Sequence, residues 1–536
     1  MKLDRLQEYF TVFCVTTAGV LAGIYCGQLA AEGDTKKLGY IGAAIAVMLL
    51  CLAMKTRIWI LIPLAWDLKG SSFMLPLPFS IREIFIMLCF VTFLIYTALK
   101  LIKKRPKHDF LDFIMWLNLA YLLSVYIRNP VGLNSLGNDL VGGRPYYITV
   151  VVLLGYWVLS RVTLNVKQAG TIPTAILISA TVVSFMSIVA YRFPATVPVL
   201  SHIYSGVETS SYDAMEANGE QTVAGGDTDP DAVEGRIGAL MDFGVVAIAY
   251  LCAFYPPTSL LNPLLFWRFL LFTLAWICIL YSGHRIGISL GVATIAISGY
   301  FRRGLLELIK VGAFFLPILV VLILGNGTLF ELPIVAQRAL SFLPGHWNWE
   351  AVENANASSE WRFEMWHRAM DGNKYIKNKI LGDGFGTSQR AQDSVREMAA
   401  VGESGEAGME GQLINGGFHS GPLTAIRVVG AVGLVLLYAW MIYLVIYAVR
   451  LIRTSKDTPF FPIALFFGSG ICFDPLFYTF VFGGYDVQLP QMILNTAMLK
   501  LISDSLAAYK ASESHTGTTD QTRPWEPLHE FIPAGA

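Results

Sequence analysis

The sequence predicts an all-α polytopic membrane protein, with about 12–14 transmembrane helices and one large, partly helical loop outside the bilayer. Three observations carry the prediction. Hydrophobic residues make up 54% of the chain and charged residues 15%, against about 25% charged in soluble proteins. Apolar runs long enough to cross a bilayer recur along the chain. In lipid the backbone polar groups must be satisfied internally, and runs of this length suit helices rather than barrel strands. One long polar stretch, 325–421, interrupts them.

After the short charged segment Met1–Glu8, a first span is expected at 10–31. No small-residue cleavage pattern follows it, so it is read as a retained helix rather than a signal peptide. Further spans are expected at 38–54, 83–102, 109–127, 146–162, 171–190, 237–254, 262–281, 286–301, 308–324, 422–449, 458–482 and 488–503. The shorter run Ile58–Trp66 fits a tilted span, a re-entrant piece or an interfacial segment. Basic residues gather at Lys55/Arg57, Lys100–Lys107, Arg161/Lys167, Arg302/Arg303/Lys310 and Arg450/Arg453/Lys456. Placing all of these in the cytoplasm makes 58–66 a crossing and gives about 14 crossings with both termini inside.

Four polar loops then lie outside: 67–82, 128–145, 191–236 and 325–421. The chain accordingly divides into N-terminal helices (1–324) containing the acidic loop 191–236, the large loop (325–421), C-terminal helices (422–504) and a cytoplasmic tail (505–536) whose composition predicts disorder. Within the acidic loop, Asp227-Thr228-Asp229 looks like the metal-binding DxD of some sugar transferases, but in a Gly/Asp-rich stretch a solvated turn is the favoured reading. All seven cysteines lie in apolar segments, which argues for packing roles and against a disulfide framework or zinc site. A net charge of zero gives no case for a nucleic-acid partner.

In the large loop, Ser359 is expected to cap a helix with Glu360 in its first turn. Trp361, Met365, Arg368 and Ala369 then share one face, and Arg362 and Trp366 form an i,i+4 pair on another. Gly382, Gly384 and Gly386 break the helix. With no strand before them and no clear helix after, they do not form a nucleotide-binding fingerprint. The loop therefore reads as a short helical lid over a membrane-embedded mouth.

Several polar residues sit at that mouth. Arg285, in Tyr281-Ser282-Gly283-His284-Arg285-Ile286-Gly287, joins two spans almost without a loop. A guanidinium at the membrane boundary is a functional candidate, weighed against a snorkelling helix anchor. Arg236 begins the span after the acidic loop, and with Arg285, Arg338, Arg362 and His419 it is placed on the outer side of the membrane. Converging guanidinium groups suit a diphosphate, whose oxygens they bind bidentately. His419, just before the span near Pro422, is the side chain best suited to accept a proton near neutral pH. His284, His346 and His367 are read as solvated or packing residues. Asp242 and Asp474, inside spans, are read as structural ion-pair or helix-orienting groups.

These residues together resemble the O-antigen ligase and O-antigen polymerase superfamily of bacterial inner-membrane proteins. Three pieces carry the resemblance: Ser282-Gly283-His284-Arg285; Arg362 through Trp366 followed by Leu381-Gly382-Asp383-Gly384-Phe385-Gly386; and His419-Ser420, nine residues, Gly430, two residues, Gly433. The chain departs from the family pattern at Ser420, where Asn is frequent, at Ile286 after Arg285, and in the length of its acidic loop. The resemblance implies inverting glycosyl transfer at the periplasmic face of the inner membrane, without metal or cofactor. The donor would be a glycan on undecaprenyl diphosphate and the acceptor lipid A-core, as in lipopolysaccharide assembly. His419 would be the general base; Arg285 and Arg236 would hold the diphosphate, helped by Arg362 and Arg338. A polymerase extending another glycan, or a protein O-oligosaccharyltransferase, would use the same donor. A lipid-linked glycan transporter is the alternative of a different class, but the chain has no evident inverted repeat, and its candidate residues cluster at one face rather than at the midplane. The loop's aromatic residues (Trp347, Trp349, Trp361, Trp366, Phe385, Phe418) are expected to pack the lid rather than to stack on sugars.

Overall fold

The computed structural model describes short stretches between 16 and 49, and then residues 53–71, 79–102, 108–131, 140–207, 237–400, 404–481 and 483–516. The chain is an all-α polytopic membrane protein. Its principal helices are α1 (Ile81–Ala98), α2 (Phe110–Arg128), α3 (Arg144–Leu159), α4 (Val166–Arg192), α5 (Gly238–Phe254), α6 (Phe266–Tyr281), α7 (Arg285–Arg303), α8 (Leu305–Gly325), α9 (Ile334–Leu340), α10 (Trp349–Met370), α11 (Gln389–Ala400), α12 (Ser404–Asn415), α13 (Gly421–Ser455), α14 (Phe461–Phe480) and α15 (Tyr485–Thr516). Among the described residues six helices are long and apolar enough to cross a membrane: α1, α2, α4, α8, α13 and α14. Helices α3, α5 and α6 are shorter and apolar. Every expected span from 83–102 onward is a helix. The spans expected at 10–31 and 38–54 fall largely outside the described residues.

Local sequence explains where the first helices begin. Ser80 with Glu83, Asp109 with Asp112 and Asn165 with Gln168 form reciprocal capping boxes at the starts of α1, α2 and α4. Each satisfies two backbone N–H groups that the first turn leaves without a partner. The sides of the bundle stay apolar where they are exposed: Phe185, Leu316, Val321, Leu324 and Val435 are all more than half exposed. In water such a surface would be costly, and against lipid tails it is not.

One polar knot is buried inside the bundle. Asp112 of α2 accepts a hydrogen bond from Tyr156 of α3 at 2.5 Å and pairs with Lys500 of α15. The Lys500 and Asp112 side chains are 5% and 2% exposed, and Lys500 also lies 3.5 Å from Asp109, so removing Lys500 takes the main charge partner from a buried carboxylate.

The basic clusters that are described gather at one end of the bundle. Thr56, Leu101, Ile102, Arg161 and Gln168 line a common recess. The Leu164 N–H donates to Ser505 Oγ, Lys510 Nζ donates to the Thr454 carbonyl, and the Arg302 guanidinium lies over the Phe461 ring. Residues 55–71 carry the chain from this basic end to the opposite one, where Ser71 bridges to Ser80 at the start of α1. Only Lys55–Ile60 (3-10) and Leu61–Leu64 (α) of that path are helical, with Ile58, Trp59 and Ile62 buried. Ten residues at these rises span roughly 18 Å, short of a bilayer core of about 30 Å. The remainder is irregular backbone packed against protein, with Asp67 N–H donating to Ser179 Oγ of α4. Irregular backbone at membrane depth is tolerated in such a setting.

The C-terminal boundary differs from the expectation. Helix α15 continues through the expected tail boundary to Thr516, because Tyr509 packs on Phe460 and Lys510 is held by the Thr454 carbonyl. Residues 517–536 lie outside the described residues.

Candidate functional site at the lid end of the bundle

The polar loop folds as a lid with its own small core. Met365, Ala369, Ile376, Met409, Leu413 and Phe418 are buried together, and Trp361, Trp366 and Tyr375 pack on them. Leu423 and Ile426, in the first turns of α13, complete the cluster and fasten the lid to the bundle. The helical face read from the sequence is thus the buried one at Met365 and Ala369, whereas Arg368 turns outward to pair with Glu364 at 2.5 Å. The Lys374 ammonium meets Glu410 at 2.8 Å, tying the turn after α10 to α12. Hydrogen bonds to Glu410 and Tyr375 raise its pKa above the ordinary lysine value. The stabilisation is therefore complete below that value and is lost only as pH rises above it, so the tie holds across neutral pH.

Two local expectations are corrected. The lid helix begins not at Ser359 but at Asn348, whose side chain accepts from the Glu350 N–H. Residues 349–358, rich in Ala and Glu, extend the helix N-terminally, and Ser359 sits mid-helix with its hydroxyl bonded to the Ala355 carbonyl. A helix also does follow Gly386. Thr387–Ser388 form a two-residue strand, β2, antiparallel to β1 (Leu140–Val141) of the 128–145 loop, and α11 starts at Gln389.

The glycine run has a structural task. Gly430 breaks α13 with φ 69° and ψ 179°, and the Leu381–Gly386 segment docks into the break by backbone hydrogen bonds. Asp383 N–H donates to the Arg427 carbonyl at 2.7 Å and Gly384 N–H to that of Val428 at 2.9 Å. In return Ala431 N–H donates to the Lys379 carbonyl at 2.8 Å. A Cβ on Gly430 would lie 2.2 Å from the Ile380 carbonyl oxygen, and one on Gly382 would lie 2.4 Å from that of Val428. Asp383 turns its carboxylate onto the Lys377 and Asn378 N–H groups. Arg128 Nη2 and Tyr121 hydroxyl both donate to the Leu381 carbonyl, at 2.9 and 3.3 Å. Phe385 stacks edge-on to Tyr146.

His419 stands immediately before α13. Its ring is half-buried, with Nε2 2.9 Å from Gln412 Oε1 and the Trp361 ring centroid 6.0 Å away. Trp366 Nε1 donates to the Phe418 carbonyl at 2.6 Å, fixing the backbone just before it. His419 has φ 48°, a left-handed conformation uncommon for a residue with a Cβ. Such conformations persist where the surroundings over-determine them, and they gather at functional sites. Gln412 Oε1 can only accept, so the contact orients the ring when Nε2 is the protonated nitrogen.

Arg285 and Arg338 meet directly: Arg285 Nε donates to the Arg338 carbonyl at 3.2 Å. The junction before Arg285 is built for a sharp reversal. Ser282 is fully buried, with its hydroxyl bonded back to the Ile279 carbonyl, and Gly283 takes φ 70°. Arg285 then opens α7, so its side chain lies at the helix end where the N–H groups make an electropositive mouth. Arg338, on α9, is 5% exposed. Arg362 lies on α10 next to Trp361, on the helix that links α9 to α12. Two groupings result, Arg285 with Arg338 and His419 with Gln412 and Trp361, joined through α9 and α10. Arg236 and the Asp227-Thr228-Asp229 motif lie outside the described residues.

Sequence reasoning missed Gln412, Arg128 and Arg427. Arg427 is 7% exposed in α13, two turns after His419, and its Nη2 donates to the Ile414 carbonyl at 2.5 Å. An arginine inside an apolar span is itself a functional signal, and that signal was present. Gln412 carries no such mark, because its proximity to His419 depends on the turn at Gly416, φ 77°. No protein-family model matches the chain, and no curated protein matches it.

Proposed function

We propose that the chain is a membrane glycosyltransferase. It moves a glycan from undecaprenyl diphosphate to an acceptor hydroxyl at the periplasmic face of the bacterial inner membrane, with lipid A-core as the acceptor. The observation that carries the reading is His419, held in a left-handed turn between Gln412 and Trp361 at the mouth of α13, beneath the lid. In this reaction His419 Nδ1 takes the proton of the acceptor hydroxyl while its oxygen attacks the anomeric carbon of the donor. The bond from that carbon to the phosphate oxygen breaks on the opposite face, and its electron pair stays with the diphosphate, which inverts the anomeric centre. Arg285, at the N-terminal mouth of α7, and Arg338 beside it supply positive charge where negative charge builds. Arg362 assists from the lid, and Arg236 is assigned to the diphosphate by the resemblance. A diphosphate leaves without an acid catalyst when its charge is met in this way, so one base suffices.

The test uses the full chain in detergent with an undecaprenyl-diphosphate-linked glycan, with and without lipid A-core. Transfer to lipid A-core is expected. Extension of the donor glycan without lipid A-core would move the assignment to a polymerase. Donor crossing proteoliposome membranes without any transfer would replace the proposal with a transporter.

A further inference from the structure

The basic end of the bundle carries a recess that the proposed reaction does not use. It has a volume of about 460 Å³ and is lined by Phe254, Pro256, Arg302, Arg303, Lys456, Asp457, Thr458, Pro459, Phe461 and Pro462. Three cations face one carboxylate, Asp457. Arg302 is a fixed part of the wall: it donates to the Cys252 and Ala253 carbonyls at the end of α5 and lies 5.2 Å over the Phe461 ring. Arg303 is 58% exposed and only loosely paired, 3.8 Å from Glu307. Glu307 is already committed to Thr258, accepting from its N–H at 2.9 Å and its hydroxyl at 2.7 Å. Lys456 follows the last residue of α13 and is exposed, and Asp457 turns the chain there with φ 65°.

The surface beside the recess shows at what depth it opens. Leu264, Phe266 and Trp267 precede or start α6 and are 89%, 58% and 73% exposed, and Leu305 and Leu306 at the start of α8 are 65% and 70% exposed. Arg268, next to them, lies over the Tyr255 ring at 3.8 Å, which keeps this turn against the end of α5. Exposed aromatic and aliphatic side chains bordering a basic recess at the end of membrane helices mark the headgroup level of a bilayer. Basic pockets between helix ends at this depth bind the phosphates of acidic lipids.

We propose that this recess is a binding site for the phosphodiester of an acidic membrane lipid. Arg303 and Lys456 hold the phosphate, Arg302 shapes the wall, and the acyl chains lie along the exposed Leu264–Trp267 and Leu305–Leu306 surface. The lipid would bridge the ends of α7 and α13, two helices that begin at the proposed reaction mouth.

The experiment is native mass spectrometry of the full chain in detergent, titrated separately with phosphatidylglycerol, cardiolipin and phosphatidylcholine, and with inorganic phosphate as competitor. The expected result is retention of phosphatidylglycerol or cardiolipin but not of phosphatidylcholine. The Arg303→Gln/Lys456→Gln double variant should bind the acidic lipid about 30-fold more weakly. The Arg303→Lys/Lys456→Arg variant, which keeps the charge, should bind like the wild type, and thermal unfolding of each variant checks that the fold is intact. Equal retention of phosphatidylcholine, or undiminished binding by a folded double variant, would overturn the proposal. Inorganic phosphate at millimolar concentration displacing all bound lipid would overturn it too, because the site would then read free phosphate rather than a lipid.

Discussion

At the scale of single residues the account turns on how His419 is held. Its unusual backbone angle, the Nε2 contact with Gln412 Oε1 and the Trp361 ring fix the orientation of the imidazole. Gln412→Ala is therefore expected to lower the transfer rate by about tenfold to a hundredfold through loss of ring orientation, with the lid still folded. Gln412→Glu should retain more activity than Gln412→Ala and move the pH–rate profile of transfer, because a carboxylate facing Nε2 stabilises the charged imidazolium. A Gln412→Ala variant with wild-type rate and pH profile would remove Gln412 from the reaction. Sequence alone could nominate His419 and Arg285, each a polar residue placed beside an apolar span, and Arg338 near the start of the large loop. It could not supply Gln412, which reaches the histidine only because the chain folds back between Asn415 and Phe418.

At the scale of elements, the break in α13 is the joint on which lid and bundle meet. The Gly382, Gly384, Gly430 and Gly433 positions were legible as a pattern, but their purpose was not, because backbone pairing between distant segments leaves no trace in composition. Gly430→Ala should cost about 1–3 kcal/mol, since its Cβ would strike the Ile380 carbonyl and its φ is positive. Thermal unfolding and protease cleavage within 387–400 should both report the lid loosening, and a variant as stable as wild type would contradict the docking. A second joint lies deeper. Lys500→Met takes the ammonium partner from the buried Asp112 carboxylate, leaving it the Tyr156 hydroxyl and Asp109 N–H as donors, and a loss of about 3 kcal/mol is expected. Replacing both partners, as in Asp112→Asn/Lys500→Met, should recover part of that loss. If the double variant is no better than the single one, the pair is not the source of the stability.

For the whole molecule, the charge pattern was the most legible feature. Basic clusters far apart in sequence gather at one end, and the path 55–71 leads from that end to the start of α1. That path was hard to read because its helical part, Lys55–Leu64, is too short to span a bilayer core, the rest being irregular backbone stabilised by neighbours such as Ser179. The capping boxes at Ser80, Asp109 and Asn165 stood in the sequence but were not read there, and α4 starts at Val166 rather than at 171; the lid helix was likewise read as starting too late, because Ser359 looked like a cap and is an interior residue. Single cysteines introduced at Trp349 and at Lys456 should label from opposite sides of the membrane with an impermeant maleimide, Trp349 from the periplasmic side. Labelling of both from one side would invalidate the arrangement of the ends.

The most direct test of the central claim is the transfer rate of His419→Ala against wild type, in detergent, with undecaprenyl-diphosphate-linked glycan and lipid A-core. The account predicts that wild type transfers the glycan, and that His419→Ala remains folded and still binds the donor but transfers it about 10²–10⁴-fold more slowly. A folded His419→Ala protein that transfers at the wild-type rate would contradict the account.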